Sequence, residues 1–240
     1  MYSQQNEKVS KVVNQNALGN NQMISPAIQK DLMCACASEI TLSIIEDIGN
    51  NVFSLMIDES RDISVKEQIG VVLRYVNKRG QVIERFLAIV HVSDTSSHSL
   101  KDAVDALFVK HGLSLSRLRG QGYDGASNMQ GEFNGLKSLV LQENPYARNS
   151  FDFVIYILRT SQQMIDPNFF GIEDLGSFAQ KIVETLKNQA YPLVYHLIEM
   201  TLVLPVATAS VEIVFSAMKM IKTDLRNRMG DEWMNDSLVV

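Results

Sequence analysis

Apolar and polar positions change period several times along this chain, and each change marks an element. Met33, Ala37, Ile40, Ile44 and Ile48 recur at three- and four-residue intervals, which predicts a helix from Asp31 that Gly49-Asn50 brings to an end. The run Val52-Phe53-Ser54-Leu55-Met56-Ile57 then predicts a buried strand stopping at Asp58. Ile69 to Asn77 and Val82 to Val92 are β-branched and aromatic, and the polar Lys78-Arg79-Gly80-Gln81 between them predicts an antiparallel hairpin. Ser99 to His111 reads as a helix with Leu100, Val104, Leu107 and Phe108 on one face. A weaker fourth strand, Leu115 to Tyr123, leads into Asp124, and Phe133 to Glu143 reads as a helix through Leu136, Leu139 and Val140. Strand, strand, strand, helix, strand, helix is a mixed α/β order, a hairpin followed by a crossover.

The flanks read differently. Residues 1–30 are rich in Asn, Gln and Ser and form a loose lead-in. After Asn144-Pro145, Phe151 to Leu158 fits a helix or a strand, and Ser161 to Glu173 reads as loop. From Asp174 the pattern is helical. Leu175, Phe178, Ile182 and Leu186 share one face, and Pro192 opens a second helix through Leu204 that Pro205 breaks. Thr208 or Ser210 caps a third, whose stripe is Val211, Val214, Phe215, Met218, Ile221, Leu225 and Met229. Gly230 closes it, and a short segment follows around Trp233, a packing anchor by this reading. The chain thus divides into a lead-in (1–30), an α/β core (31–147), a junction (148–173) and a helical region (174–240).

Composition changes this picture little. A net charge of −5 argues against a broad basic surface for nucleic acid, although it leaves room for a local groove. Cys34 and Cys36 lack the four ligands of a structural zinc site, so they read as small buried apolar residues, and few cysteines suit the reducing nucleus or cytosol. The most apolar segment, Leu193 to Ala207, is broken by His196, Glu199 and Pro205, so a soluble protein away from membranes is expected. His91, His98, His111 and His196 have no Ser or Cys partner at motif spacing.

Candidate chemistry concentrates in Arg119 to Leu136, RGQGYDGASNMQGEFNGL, which holds five of the 13 glycines. Gly120-Gln121-Gly122-Tyr123-Asp124-Gly125 formally fits a dinucleotide-binding G-x-G-x-x-G. That motif needs a strongly apolar strand at the front of a βαβ unit, whereas three strands precede this one and Asp124 would repel a pyrophosphate. Alternatively, Asp58 and Asp124 end strands one and four. Were those strands adjacent and parallel, both carboxylates would leave the same sheet edge and suit Mg²⁺ between them. Two turn-forming aspartates would look the same in sequence. Glu212 lies beside the apolar stripe of its helix, where it suits either the helix macrodipole or a neighbouring site.

Three stretches carry a resemblance. Leu55-Met56-Ile57-Asp58-Glu59-Ser60-Arg61-Asp62, Arg119 to Leu136, and Leu225 to Asp236 resemble the hAT superfamily of DNA transposases, within it transposon-derived proteins of the MYM-type zinc-finger-like group. The resemblance runs over roughly residues 10–146 and 150–240. It implies an RNase H-like mixed sheet followed by an all-helical C-terminal dimerisation region, residues 174–240. It also implies three acids, Asp58, Asp124 and Glu212, as ancestral catalytic and metal-holding residues. In such a site two Mg²⁺ ions about 4 Å apart serve strand cleavage and transfer. The sequence departs from the pattern too. Glu143-Asn144-Pro145-Tyr146-Ala147 passes almost directly to Phe151, with no Cys-x-x-His strand and no helical insertion. The N-terminal zinc-finger module is missing, Ile213 replaces a polar residue, and the apolar C-terminus stops early. The expectation is therefore an internally deleted, degenerate or domesticated protein, nuclear or cytoplasmic, that no longer transposes. It would act by pairing with a second copy or a related transposase-like chain through 174–240; DNA stays open as a partner, with no DNA-binding module present. Mg²⁺ would be its cofactor if any activity remained, with no zinc and no nucleotide. The alternative is a Mg²⁺-dependent DDE-type nuclease remnant.

Overall fold

A computed structural model describes residues 25–61, 67–123, 127–131, 134–147, 174–222 and 229–240, with positions 11, 16, 17, 19 and 172 besides. The expectations for the lead-in, for Phe151 to Leu158, for most of Ser161 to Glu173, for Leu225 and for Asp124 lie outside these residues.

The first helix, α1 (Pro26–Ile48), starts earlier than the periodicity indicates. Proline fits the first helical position because its missing N–H has no intrahelical acceptor there. Only the later turns of α1 carry buried residues, Ala37, Ile44 and Ile48, and Cys34 and Cys36 are exposed rather than buried. Three strands follow, β1 (Phe53–Arg61), β2 (Glu67–Val76) and β3 (Val82–His91). β1 does not stop at Asp58, because β2 continues the antiparallel ladder through Glu59↔Ile69, Ser60↔Gln68 and Arg61↔Glu67. The β2–β3 turn is built by Asn77, whose Oδ1 accepts from the backbone N–H groups of Arg79 and Gln81 at 2.9 and 3.0 Å. Gly80 takes the left-handed conformation there, with φ 75°.

The crossover is α2 (Ser97–His111), capped by Ser96, whose side chain accepts from Ser99 N, and closed by left-handed Gly112. Leu115–Arg117 forms a 3₁₀ turn, so β4 spans only Leu118–Tyr123. The short α3 (Ser127–Gln130) and α4 (Leu136–Glu143) follow, α4 opening at Leu136 rather than at Phe133. The sheet order is β3-β2-β1-β4, with β1 and β4 parallel, and this four-stranded mixed sheet with its helices is an α/β fold.

Residues alternate across a strand, so each face of the sheet gathers its own core. On one face Phe53, Leu55 and Ile57 join Leu73, α1 (Ile48), α2 (Leu100, Val104) and α4 (Leu136, Val140). On the other, Met56, Val72 and Ile89 meet Val211, Phe215 and Met218 of α8 (Ala209–Ile221) and Met234 of α9 (Asp231–Val239). The apolar stripe of α8 is thus buried against the sheet. Met234 rather than Trp233 is the fully buried residue of α9.

Between them lie α5 (Leu175–Glu184), α6 (Lys187–Ala190) and α7 (Pro192–Leu202). α5 and α7 bury Phe178, Ala179, Ile182 and Ile198 together. Leu186 does not continue the α5 face: the helix ends at Glu184, and Leu186 is exposed with φ 57°. Thr208 stands at the α8 N-cap without a side-chain cap bond, and Ser210 donates instead to Glu84 on β3. No helix among the described residues is long and apolar enough to cross a membrane.

Edge strand β3 is closed by a side chain. The Asn235 amide of α9 accepts from Ile89 N–H at 2.6 Å and donates to Ile89 C=O at 2.8 Å, the two bonds a neighbouring strand would make.

Candidate functional site

β1 and β4 run parallel with Met56↔Gly122 and Ile57↔Tyr123 as register partners, which meets the condition the sequence left open. Asp58 and Asp124 are each the next residue in the chain after that last pair, though Asp124 lies outside the described residues. Asp58 shares its face with Met56, the face that packs on α8, and is half-buried. Its Oδ1 accepts from the backbone N–H of Glu59 at 2.8 Å. Its β2 partner, Gly70, lies under α8 so closely that a Cβ there would come within 2.9 Å of Val211 Cγ1.

Glu212 follows Val211 in the first turn of α8 and is exposed. It lines a cleft of about 430 Å³ between the end of β4 and the α7–α8 corner. One wall is Gly122, Tyr123, Gln130 and Lys137, and the other is Pro205 to Ala209 with Glu212. Asp58 and Glu212 therefore stand toward the same side of the sheet, one on a central strand and one on the helix packed over it. Among the described residues no group of three or more His, Cys, Asp or Glu side chains is arranged to hold a metal ion.

The glycine-rich stretch has a structural account. Gly120 and Gly122 lie within β4, on the face toward α8, where the corner at Pro205 rests on them. A Cβ on Gly120 would collide with Ser54 Oγ and meet Pro205 Cδ at 2.6 Å, and one on Gly122 would meet Pro205 Cβ at 3.0 Å. With Gly70 on β2, they make a floor without side chains on which the α7–α8 corner and α8 are seated. Neither a phosphate loop nor a tight turn is what these two glycines serve. Gly135 is different, for its backbone closes a turn through Gly135 N–H to Gly131 C=O at 3.0 Å.

The rest of the stretch anchors the cleft. Asn128 Nδ2 donates to Glu59 Oε1 at 2.6 Å and to Thr95 C=O at 2.9 Å, tying α3 to the end of β1 and to the start of the crossover. Gln130 Nε2 donates to Tyr123 C=O at 3.0 Å, and Met129 is fully buried. The Tyr123 hydroxyl donates to Gln121 Oε1, and burial pushes the phenol far above its usual value, so it remains a neutral donor. Gln121 Nε2 in turn donates to Ala147 C=O at 2.8 Å.

A polar chain fixes the far wall. Arg74 on β2 donates through Nε to Leu202 C=O at 2.9 Å and through NH1 to Glu84 at 2.6 Å, and Ser210 donates to the other oxygen of Glu84. These bonds hold the end of α7 and the start of α8 against the sheet, and so place the helix turn that bears Glu212. Arg74, Glu84, Asn128 and Lys137 went unremarked in the sequence. Asn128 sits within the glycine-rich motif itself, which is a readable signal, whereas Arg74 and Glu84 become partners only through the hairpin register Arg74↔Glu84.

A family model described as DUF4371, ZMYM1/FAM200, RNase-like domain, matches residues 1–135, more than half of the chain and all four strands.

Proposed function

From a chain that belongs to the ZMYM1/FAM200 RNase-like domain family, and so has a transposase-derived origin, we propose a protein that binds a nucleic-acid backbone through a divalent cation without cutting it. In this reading the sheet is RNase H-like. The observation that carries the reading is the parallel β1–β4 pair, which brings the chain to Asp58 and Asp124 directly after register partners, with Glu212 on a cleft beside the end of β4. Carboxylate oxygens are the donors a hard cation such as Mg²⁺ prefers, and Asp58 and Glu212 offer them from one side of the sheet, with Asp124 as the second acid of the set by resemblance. Bound there, the cation would supply charge neutralisation to a phosphodiester.

The way Glu212 is held supports the reading without cleavage. Strand transfer needs its carboxylates placed within about 0.5 Å. The Glu212 side chain is exposed and makes no hydrogen bond or ion pair among the described residues. A carboxylate free to sample rotamers binds a cation weakly and aligns it poorly.

Fluorescence anisotropy with labelled single-stranded and duplex DNA, with and without Mg²⁺ or Mn²⁺, tests the proposal. Cation-dependent binding that Asp58→Asn and Glu212→Gln weaken, with the DNA left intact, is the expected result. Absence of binding in every condition would overturn it. Metal-dependent nicking abolished by Asp124→Ala would establish the nuclease reading instead.

A second reading, self-association, rests on a separate observation. The stripe of α8 faces the sheet, yet Ile213 and Met220, two turns apart on the same helix, are 68% and 75% exposed. We propose that this outward face pairs with a second copy of the chain, as the resemblance over 174–240 implies. Sedimentation equilibrium at micromolar concentration should show a dimer that Ile213→Asp dissociates, and a monomeric wild type would refute it.

A further inference from the structure

The negative charge of the chain is gathered in two helices that touch. α1 carries Asp31, Glu39, Glu46 and Asp47 against Lys30, and α9 carries Asp231, Glu232 and Asp236 with no lysine or arginine. Together they hold a net of −6, whereas the whole chain holds −5, so the rest of the sequence is close to neutral. α9 packs on α1, which joins their charges in one surface. At the last turns of α1, Glu46 and Asp47 share a hollow with Lys78 and Arg85, so part of the charge is offset there. Asp31 and Glu39, earlier in the helix, and Glu232 on α9 are exposed, and their side chains make no hydrogen bond or ion pair among the described residues.

α1 is also apolar on two sides. Ala37, Ile44 and Ile48 are buried on the side that meets the core. About half a turn away runs a second stripe, Ile28, Leu32, Ala35, Glu39 and Leu42, in steps of four and three. Ile28, Leu32 and Leu42 are 39%, 47% and 55% exposed, and no residue from Pro26 to Cys36 is buried. Lys30, the single base of α1, falls on the other side of the helix. A helix with apolar residues on both sides is ordinarily covered on both. Here the core supplies one cover, and the second stripe lies open over about 21 Å.

The charge decides what fits this face. Nucleic acid and anionic lipid are repelled by it, and a second copy meeting it through the same helices would set acid against acid. A helix with apolar residues at three- and four-residue spacing and Lys or Arg beside them answers both features, stripe to stripe and base to Asp31, Glu39 and Glu232. We propose that the α1–α9 face docks such a basic amphipathic helix of another protein. This surface is separate from the acids of β1 and β4 and from the outward face of α8.

Three labelled synthetic peptides of about three heptads test it: a Leu stripe flanked by Lys, the same peptide with Glu for Lys, and the Lys peptide scrambled so that no stripe forms. Fluorescence anisotropy at about 150 mM salt is expected to show micromolar-range binding of the first peptide alone. Leu32→Ser with Leu42→Ser, and Glu39→Lys with Glu232→Lys, should each weaken it by about tenfold or more. Glu184→Lys, an exposed charge swap on α5, should change it by less than about twofold. The substituted side chains are exposed, and Ile28→Ser serves in place of any pair that lowers the melting temperature. Failure of the Lys peptide to bind, equal binding of the scrambled peptide, or an equal loss in Glu184→Lys would each overturn the proposal. So would a dimer in sedimentation that Leu32→Ser with Leu42→Ser dissociates, because a second copy would then occupy the face.

Discussion

Gly120 shows at the scale of one residue how a missing side chain shapes this protein. Nothing in its conformation demands glycine, since no left-handed φ is recorded for it. What demands it is Ser54 Oγ and the Pro205 ring, both inside the distance a Cβ would need. Gly120→Ala should therefore cost about 1–3 kcal/mol in urea denaturation through overpacking, and a cost near zero would show that the corner yields. Gly112 is the reverse case: nothing lies within 4 Å of its Cβ position, but φ is 64°. A second residue-scale prediction concerns His111, at the end of α2. Burial lowers its pKa from the ordinary 6.5, and the Lys110 charge beside it lowers it further. A histidine with a depressed folded pKa contributes stability above the unfolded value and loses it as pH falls through the folded one. Wild type should lose stability as pH falls from about 7.5 toward 5, with a slope that His111→Gln lacks; parallel curves would refute the assignment. The glycines were visible in the sequence as a cluster, but their purpose was not. A sequence displays density, whereas close approach needs the partner, and Pro205 lies far along the chain from Gly120.

Elements were legible where their pattern is local. The hairpin and the crossover helix follow from periodicity and turn chemistry, with Asn77 and Gly80 building the turn, whereas the parallel placement of β1 beside β4 stood in the sequence only as a condition. Boundaries were less so: β1 runs on to Arg61 because β2 supplies partners there, which its own polar residues Asp58, Glu59 and Ser60 do not announce. The clearest element-scale feature absent from any local pattern is the closure of β3 by Asn235. An amide side chain reproduces the donor and acceptor of a peptide group, so one residue replaces one rung of a missing strand. Asn235→Leu should leave Ile89 N–H and C=O without these partners and cost about 1–3 kcal/mol. Light scattering after thermal challenge should also rise, because an uncovered edge pairs with other chains. Unchanged stability and scattering would show that the edge is protected otherwise.

For the whole molecule, the decisive point is that both faces of one sheet are covered, the second by helices from the far end of the chain. Met56, Val72 and Ile89 are buried against α8 and α9. A chain ending at Ala207 should expose this apolar face and fail to give a cooperative thermal transition, whereas Phe215→Ala in the full chain should fold but lose about 3–5 kcal/mol. A cooperative, monomeric 1–207 fragment would show instead that residues 31–147 hold their fold without the helices. The sequence indicated an apolar helical stripe from Val211 to Met229 but not what it covers, because an unassigned amphipathic face suits a partner chain and a sheet equally. The site shows the same division. Asp58 and Glu212 were candidates from their places at a strand end and beside a helix stripe and from the resemblance, while Lys137 and the Arg74–Glu84–Ser210 chain emerged only with the hairpin register and the cleft.

The floor of Gly70, Gly120 and Gly122 has a consequence for tolerance to change. Helix α8 cannot slide across the sheet without its Val211 and Phe215 leaving the hollow over Gly70, nor can Pro205 leave β4 without opening a void over Ser54. The location of Glu212 is thus encoded by atoms that are not there. Any lineage that kept these three glycines would keep position 212 at the same place over the sheet, whatever side chain stood there.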